Sequence, residues 1–187
     1  MRKWIQIVFI FCVLLYALPA TGQLFINEFM ASNRSIKVDP DFFQYVDWIE
    51  IYNAGDQNVD IGDWYFKDNL ARIEQWQIPL GTTITAGAYI LFWADGTDTV
   101  AQGYHTDFKL SAQGEDIGLY NTNDVLVDYI VYGDQGPDIS FGRRPDGHSD
   151  WVYFMVPTPG RANDSVGVQE FTFSPSPIFS HASGFYN

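Results

Sequence analysis

Cysteine is almost missing from this chain: its one thiol, Cys12, lies inside an apolar N-terminal stretch. Without a second cysteine there can be no internal disulfide and no thiolate metal site, so the fold must rest on a noncovalent core. Basic residues are scarce too, 10 against 23 acidic ones, for a net charge of -13. Such a surface repels phosphate backbones and anionic lipids, which argues against nucleic acid as a partner, although acidity also simply keeps a protein soluble. The three histidines, His105, His148 and His181, are far apart and form no His-x-His or His-Glu-x-x-His pairing, so the sequence offers no zinc motif. A Gly-x-Ser-x-Gly nucleophile elbow is missing as well. Long hydrophobic runs are limited to residues 4–18, short of the roughly 20 residues that span a bilayer, so no stable membrane insertion is expected.

That apolar run follows Met1-Arg2-Lys3 and precedes Pro19-Ala20-Thr21-Gly22, the three-part layout of a cleaved signal peptide over residues 1–22. The expected mature chain starts at Gln23 and is secreted or held at the cell surface. Loss of Arg2 and Lys3 leaves 8 basic residues against 23 acidic ones, a net charge of -15. Aromatics make up 17% of the chain and charged residues only 18%, with Gly and Pro at short intervals, a mixture that favours many short strands. Residues 24–29, 46–52, 64–66, 88–94, 116–120 and 125–132 alternate or run apolar at strand length, and turn formers such as Asn53-Ala54-Gly55-Asp56 and Asp95-Gly96 separate them. The reading is an all-β meander of antiparallel strands with no long helix. Residues 88–93, apolar on both faces, predict a central strand. Residues 46–52 predict a half-exposed one, with Ile49 and Ile51 inward and Trp48, Glu50 and Tyr52 outward.

An ordered series of short motifs then runs through the chain. It starts with Ile26-Asn27-Glu28-Phe29, Asp47-Trp48-Ile49-Glu50-Ile51-Tyr52-Asn53 and Ile61-Gly62-Asp63-Trp64, and continues with Trp76-Gln77-Ile78-Pro79 and Phe108-Lys109-Leu110-Ser111. It ends with Gly142-Arg143-Arg144-Pro145-Asp146-Gly147 and Thr158-Pro159-Gly160-Arg161-Ala162-Asn163. In this order the motifs resemble the lamin tail domain of exported bacterial proteins, which implies an immunoglobulin-like β-sandwich over residues 23–165. Residues 35–45, rich in Asp, Pro and Phe, depart from the family pattern. Residues 166–187 read as a linker and the opening of a second β-sandwich that resembles the chitobiase C-terminal repeat. The natural protein is therefore expected to continue, and in related architectures a spore-coat-kinase-like domain follows.

No residue set points to catalysis. Glu28, Glu50, Glu74 and Glu115 have no spacing that marks a glycosidase pair. Hard oxygen ligands for calcium are best represented by Asp39, Asp41 and Asp47, with Asp134 and Asp138, or Asp146 and Asp150, as further pairs, none in an EF-hand pattern. The aromatic and acidic side chains expected outside, Trp48, Glu50 and Tyr52, are candidates for contact with a glycan, although tryptophan in a sandwich more often fills the core, and Arg143 and Arg144 form the one basic spot, which pairs with neighbouring acids or meets an anionic partner. The leading expectation is a non-catalytic binding, adhesion or spacer module of a larger secreted or cell-surface protein, with neighbouring domains of the same polypeptide, an extracellular protein or a glycan as partner. The alternative is a carbohydrate-binding module. No cofactor beyond calcium is suggested.

Overall fold

A computed structural model describes residues 24–71 and 75–170. The expected signal peptide, Glu74 and residues 171–187 of the expected second module lie outside the described residues. Among the described residues thirteen strands form: β1 (Leu24–Met30), β2 (Asp47–Asn53), β3 (Val59–Asp60), β4 (Tyr65–Lys67), β5 (Trp76–Gln77), β6 (Thr83–Ile84) and β7 (Tyr89–Ala94), then β8 (Tyr104–His105), β9 (Glu115–Tyr120), β10 (Leu126–Tyr132), β11 (Ser140–Arg143), β12 (Trp151–Phe154) and β13 (Gly167–Val168). They make a seven-stranded sheet ordered β13-β12-β11-β1-β2-β7-β8, a four-stranded sheet ordered β10-β9-β4-β5, and the small pair β3-β6. The all-β, immunoglobulin-like sandwich expected from the sequence is what forms.

Two details differ from a simple meander. β11 returns from late in the chain to pair with β1, and β8 runs parallel to β7, so the ladder is mixed. The strand read as central, β7, is second from the sheet edge, with Tyr89, Ile90 and Leu91 half-buried and only Phe92, Trp93 and Ala94 buried. Gly167–Val168, placed in a linker by the sequence, adds to the sheet edge beside Tyr153 and Phe154.

The alternation of β1, β2 and β7 sends Ile26, Phe29, Ile49, Ile51 and Phe92 inward against Phe66, Trp76, Ile78, Ile117 and Leu119. Phe92 joins the layers, its ring 5.0 Å from Phe66, 5.9 Å from Trp76 and 5.5 Å from Tyr104. Its removal to alanine is expected to cost about 3–5 kcal/mol, because dispersion and transfer terms are lost together. The outer face of the seven-stranded sheet is not open. Met30, Trp48 and Trp93 bury there as a second small cluster, and the backbone of Thr158 and Gly160 closes over Glu28 and Glu50. This corrects the half-exposed reading of β2: Trp48 and Glu50 are both fully buried, and only Tyr52 stays half-buried.

Candidate functional site: an aromatic loop and the cleft beside it

The segment between β1 and β2 is fixed by two side chains. Asn33 is buried; its Oδ1 accepts the amides of Ile36 (3.1 Å) and Lys37 (3.4 Å), and its Nδ2 donates to the carbonyls of Lys37 (2.6 Å) and Val46 (2.8 Å). The buried Asp39 carboxylate accepts the amides of Asp41 (2.8 Å), Phe42 (2.9 Å) and Gln44 (3.1 Å), turning the chain back so that Val38 bridges Tyr45. Aspartate suits this position because its short side chain reaches amides two, three and five residues ahead. The result is a rigid tip that holds Phe42 (43% exposed), Phe43 (79%) and Tyr45 (47%) toward solvent. Phe43 sits at φ 56°, a left-handed conformation that is costly for a bulky aromatic.

The tip is clasped to the loop around β8. Asp41 accepts the amides of Gln102 (2.9 Å) and Gly103 (2.8 Å). His105, fully buried, places Nε2 3.0 Å from Asp41 Oδ2 and Nδ1 2.8 Å from Asp95 Oδ2. Each ring nitrogen meets a carboxylate oxygen, so both are satisfied together only when both carry protons, as in imidazolium. Burial opposes that charge, but the hydrogen bonds to Asp41 and Asp95 more than offset it and hold His105 above the usual imidazole range. The Gln102 amide, followed by His105 and Gly103, in turn holds Asp41 below the ordinary carboxylate range despite desolvation. Gly103 is required at its place: a Cβ there would stand 2.7 Å from Trp93 Nε1.

Asp39, Asp41 and His105 also bring their ligand atoms within 4.8 Å of one another, close enough to hold a metal ion. Two of the three calcium candidates therefore meet, with a histidine the sequence had set aside. Asp47, the third, lies apart. An imidazole in the set suits a transition metal better than calcium, which takes 6–8 oxygens. One aspartate of each of the other acidic pairs serves the fold. Asp138 accepts the amides of Arg34 (2.6 Å) and Ser35 (2.9 Å), and Asp146 accepts the hydroxyl of Tyr89 (2.7 Å).

Beside the clasp opens a cleft of about 460 Å³ lined by Phe42, Gln44, Tyr45, Asp47, Thr97 and Lys109 among others. Asp47 heads β2 on the inward side, where its Oδ1 accepts one hydrogen bond, from the Asn33 amide at 3.0 Å. Burial pushes the Asp47 carboxyl up to about 6, with the Asn33 amide and Lys109 pulling the other way.

The residues singled out in the sequence for binding are spread elsewhere. Trp48 is sealed under the sheet's outer cluster, and Tyr52 stacks on Tyr89 at 4.7 Å with a 21° tilt, so the rings cover each other. Glu50 accepts from Asn27 Nδ2 (3.1 Å) and the Gly160 amide (2.6 Å) inside a buried polar network. Arg143 is a structural cation. Its Nη2 donates to both oxygens of Asp128 (2.9 and 3.0 Å) and its Nε to the carbonyl of Ile26 (2.9 Å), while its guanidinium lies 4.8 Å from the Trp151 ring centre. Only Arg144 is exposed. The network that takes up Glu28, Glu50, Asn27, Asp146, Thr158 and Asn163 gathers four of the sequence motifs into one place, where every member but the half-buried Asp146 is buried.

An all-β sandwich with an exposed aromatic loop is the class these observations define. The model of the Lamin Tail Domain family matches residues 17–134, more than half of the chain, and the chain belongs to that family, whose modules are non-catalytic. No curated protein matches the chain. The match stops before β11 and β12, which nonetheless complete the sheet by pairing with β1 and with each other. It does not reach the chitobiase-like repeat expected at the C-terminus. Among the described residues no helix is long and apolar enough to cross a membrane.

Proposed function

We propose that the chain is a non-catalytic recognition module of a larger exported protein, and that residues 36–45 with the adjoining cleft are its contact surface. One observation carries the reading: Phe43 is kept both exposed and in a left-handed conformation by a loop that three buried polar side chains, Asn33, Asp39 and His105, hold rigid. A fold under no demand to present that ring has cheaper options, since exposure wastes its burial energy and the backbone is strained. Preorganised aromatics of this kind make effective anchors because little entropy is lost on contact.

The supporting experiment uses the labelled full chain and the insoluble surface fraction of the cells that produce it. Retention that falls about tenfold in Phe43→Ala, with an unchanged or raised melting temperature, supports recognition through this loop. Equal retention of both proteins places recognition outside this loop, and retention of neither leaves a spacer role instead. Export is tested separately: the N-terminus of protein recovered outside the cell is expected to begin at Gln23. Calcium draws weaker support than a proton at the His105 clasp, because the carboxylates of Asp39 and Asp41 are already occupied by five backbone amides between them.

A further inference from the structure

The geometry points to a neutral, hydroxyl-rich ligand, an uncharged oligosaccharide, as the occupant of the cleft between Tyr45 and Lys109; this rests on the recognition reading above and names its ligand class. Four observations carry it. The first is size: about 460 Å³ falls within the roughly 300–1,000 Å³ of small-molecule sites and admits a short chain of sugar rings. The second is the wall. Phe42 and Tyr45 present exposed ring surface to the cleft, Phe42 braced edge-on against His105 at 5.0 Å, while Tyr45 stacks on no other ring among the described residues. Aromatic faces of this kind pack against the C–H faces of pyranose rings.

Spare hydrogen-bonding capacity is the third observation. Among the described residues Asp47 accepts one hydrogen bond, although a carboxylate has about four acceptor sites. Among the described residues, Gln44 donates and accepts through its backbone while its side-chain amide makes no hydrogen bond, and Lys109 forms no ion pair. Asp95 is more fully engaged: its Oδ1 takes the amide (3.0 Å) and hydroxyl (2.9 Å) of Thr97 and its Oδ2 takes His105, so its main part is to support the wall.

The fourth is the balance of charge. An anionic ligand meets Asp47 on a chain of net charge -13, and a cationic one meets Lys109 at the rim. A ligand with both donors and acceptors, one apolar face and no net charge satisfies every group present.

The test takes the full chain in isothermal titration calorimetry against cellohexaose, chitohexaose, xylohexaose and mannohexaose, with a glycan array to widen the panel. Saturable binding to at least one neutral glycan is expected, weakened about tenfold or more by Tyr45→Ala and by Asp47→Ala and unchanged in the remote variant Tyr129→Ala. Circular dichroism and melting temperature confirm that each variant is folded, and Lys109→Ala gives a surface substitution that cannot perturb the core. Three results overturn the inference: no neutral glycan binds, binding is confined to charged glycans, or binding survives both cleft variants. If the chain is nevertheless retained on the cell-surface fraction through Phe43, recognition stands and only the sugar fails.

Discussion

Glu28 and Glu50 stand directly opposite one another across β1 and β2, and both side chains are fully buried. Hydrogen-bond counting assigns a proton to the first. Asn163 Nδ2 lies against two carbonyls, those of Asn27 (3.2 Å) and Arg143 (2.8 Å), which leaves Asn163 Oδ1 as an acceptor. Thr158 Oγ1 is 2.7 Å from that oxygen and 2.8 Å from Glu28 Oε2, yet a hydroxyl has one proton to give. With the Thr158 proton on Asn163, Glu28 must be the donor in the second contact. Burial, opposed by Ser140 and Thr158, likewise raises its pKa. Glu28→Gln is therefore expected to lie within about 1 kcal/mol of the parent at neutral pH, whereas Glu28→Ala, which strands the Ser140 and Thr158 donors, loses about 3 kcal/mol or more. Urea unfolding monitored by tryptophan fluorescence separates the two; a Gln variant as damaged as the Ala variant refutes the protonated state.

Stability should rise as the solution is made mildly acidic. Burial raises Glu28 and raises Glu50 well above the ordinary value, the latter helped by its neighbour Glu28. A carboxyl that holds its proton more tightly when folded stabilises the fold at low pH and loses that advantage as pH climbs from its unfolded to its folded pKa. For Asp47 that window runs from 3.8 to about 6. His105, also raised, contributes fully below about 6.5 and loses its contribution as pH passes its folded value. Asp41 and Asp138 are lowered and act in the opposite sense, but only once the pH falls through the acid range below about 4. The melting temperature is thus expected to increase from pH 8 to pH 5 and to turn over below pH 4. A curve that climbs toward pH 8 contradicts the assignment.

The His105 clasp gives a third outcome. His105→Ala leaves Asp41 and Asp95 without their shared cation and is expected to lower the melting temperature, because two carboxylates that faced one imidazolium are left facing a cavity. The 36–45 tip should then become the first site of cleavage in limited proteolysis, while the parent resists there. Because the oxygens of Asp39 and Asp41 are engaged by backbone amides, millimolar calcium or a chelator should leave the parent's melting temperature unchanged. A rise with calcium returns Asp39 and Asp41 to the role of ligands.

The contrast between what period-two patterning reveals and what it hides follows from where each partner comes from. β1, β2, β7, β9 and β10 were legible because each is six or seven residues long and alternates locally. β5, β6 and β8 have two residues each, too few to show a period, and β11 carries Gly142 in its interior. Trp48 and Glu50 were read as exposed because local alternation tells which residues share a face and says nothing of what lies over it. Gly160, which covers Glu50, is 110 residues away. His105 looked solitary for the same reason, since Asp41 is 64 residues from it in the chain. The aromatic tip was visible only as the stretch that departs from its family's motif series, and a departure carries no chemistry until Asp39 is seen folding it.

β10 supplies the last expectation. Three of the four ends of the two larger sheets are two-residue strands, β13, β8 and β5, but the fourth is the seven-residue β10. Its backbone bonds only to β9 among the described residues, so one row of amides and carbonyls is left for another strand. Tyr129 (51% exposed) and Val131 (63%) make the outward face apolar. The one charge on the strand, Asp128, is turned inward to Arg143 and to the amide of Ile26 (2.8 Å), so it does not guard the edge. Long apolar edges of this kind template edge-to-edge association, and a lysine on the outer face opposes it through charge and desolvation. Val131→Lys should change unfolding free energy by no more than about 0.5 kcal/mol, since the side chain touches little, while lowering light scattering during slow heating. If scattering is the same in both proteins, association of the unfolding chain starts from some other segment, and the β10 edge is harmless despite its length.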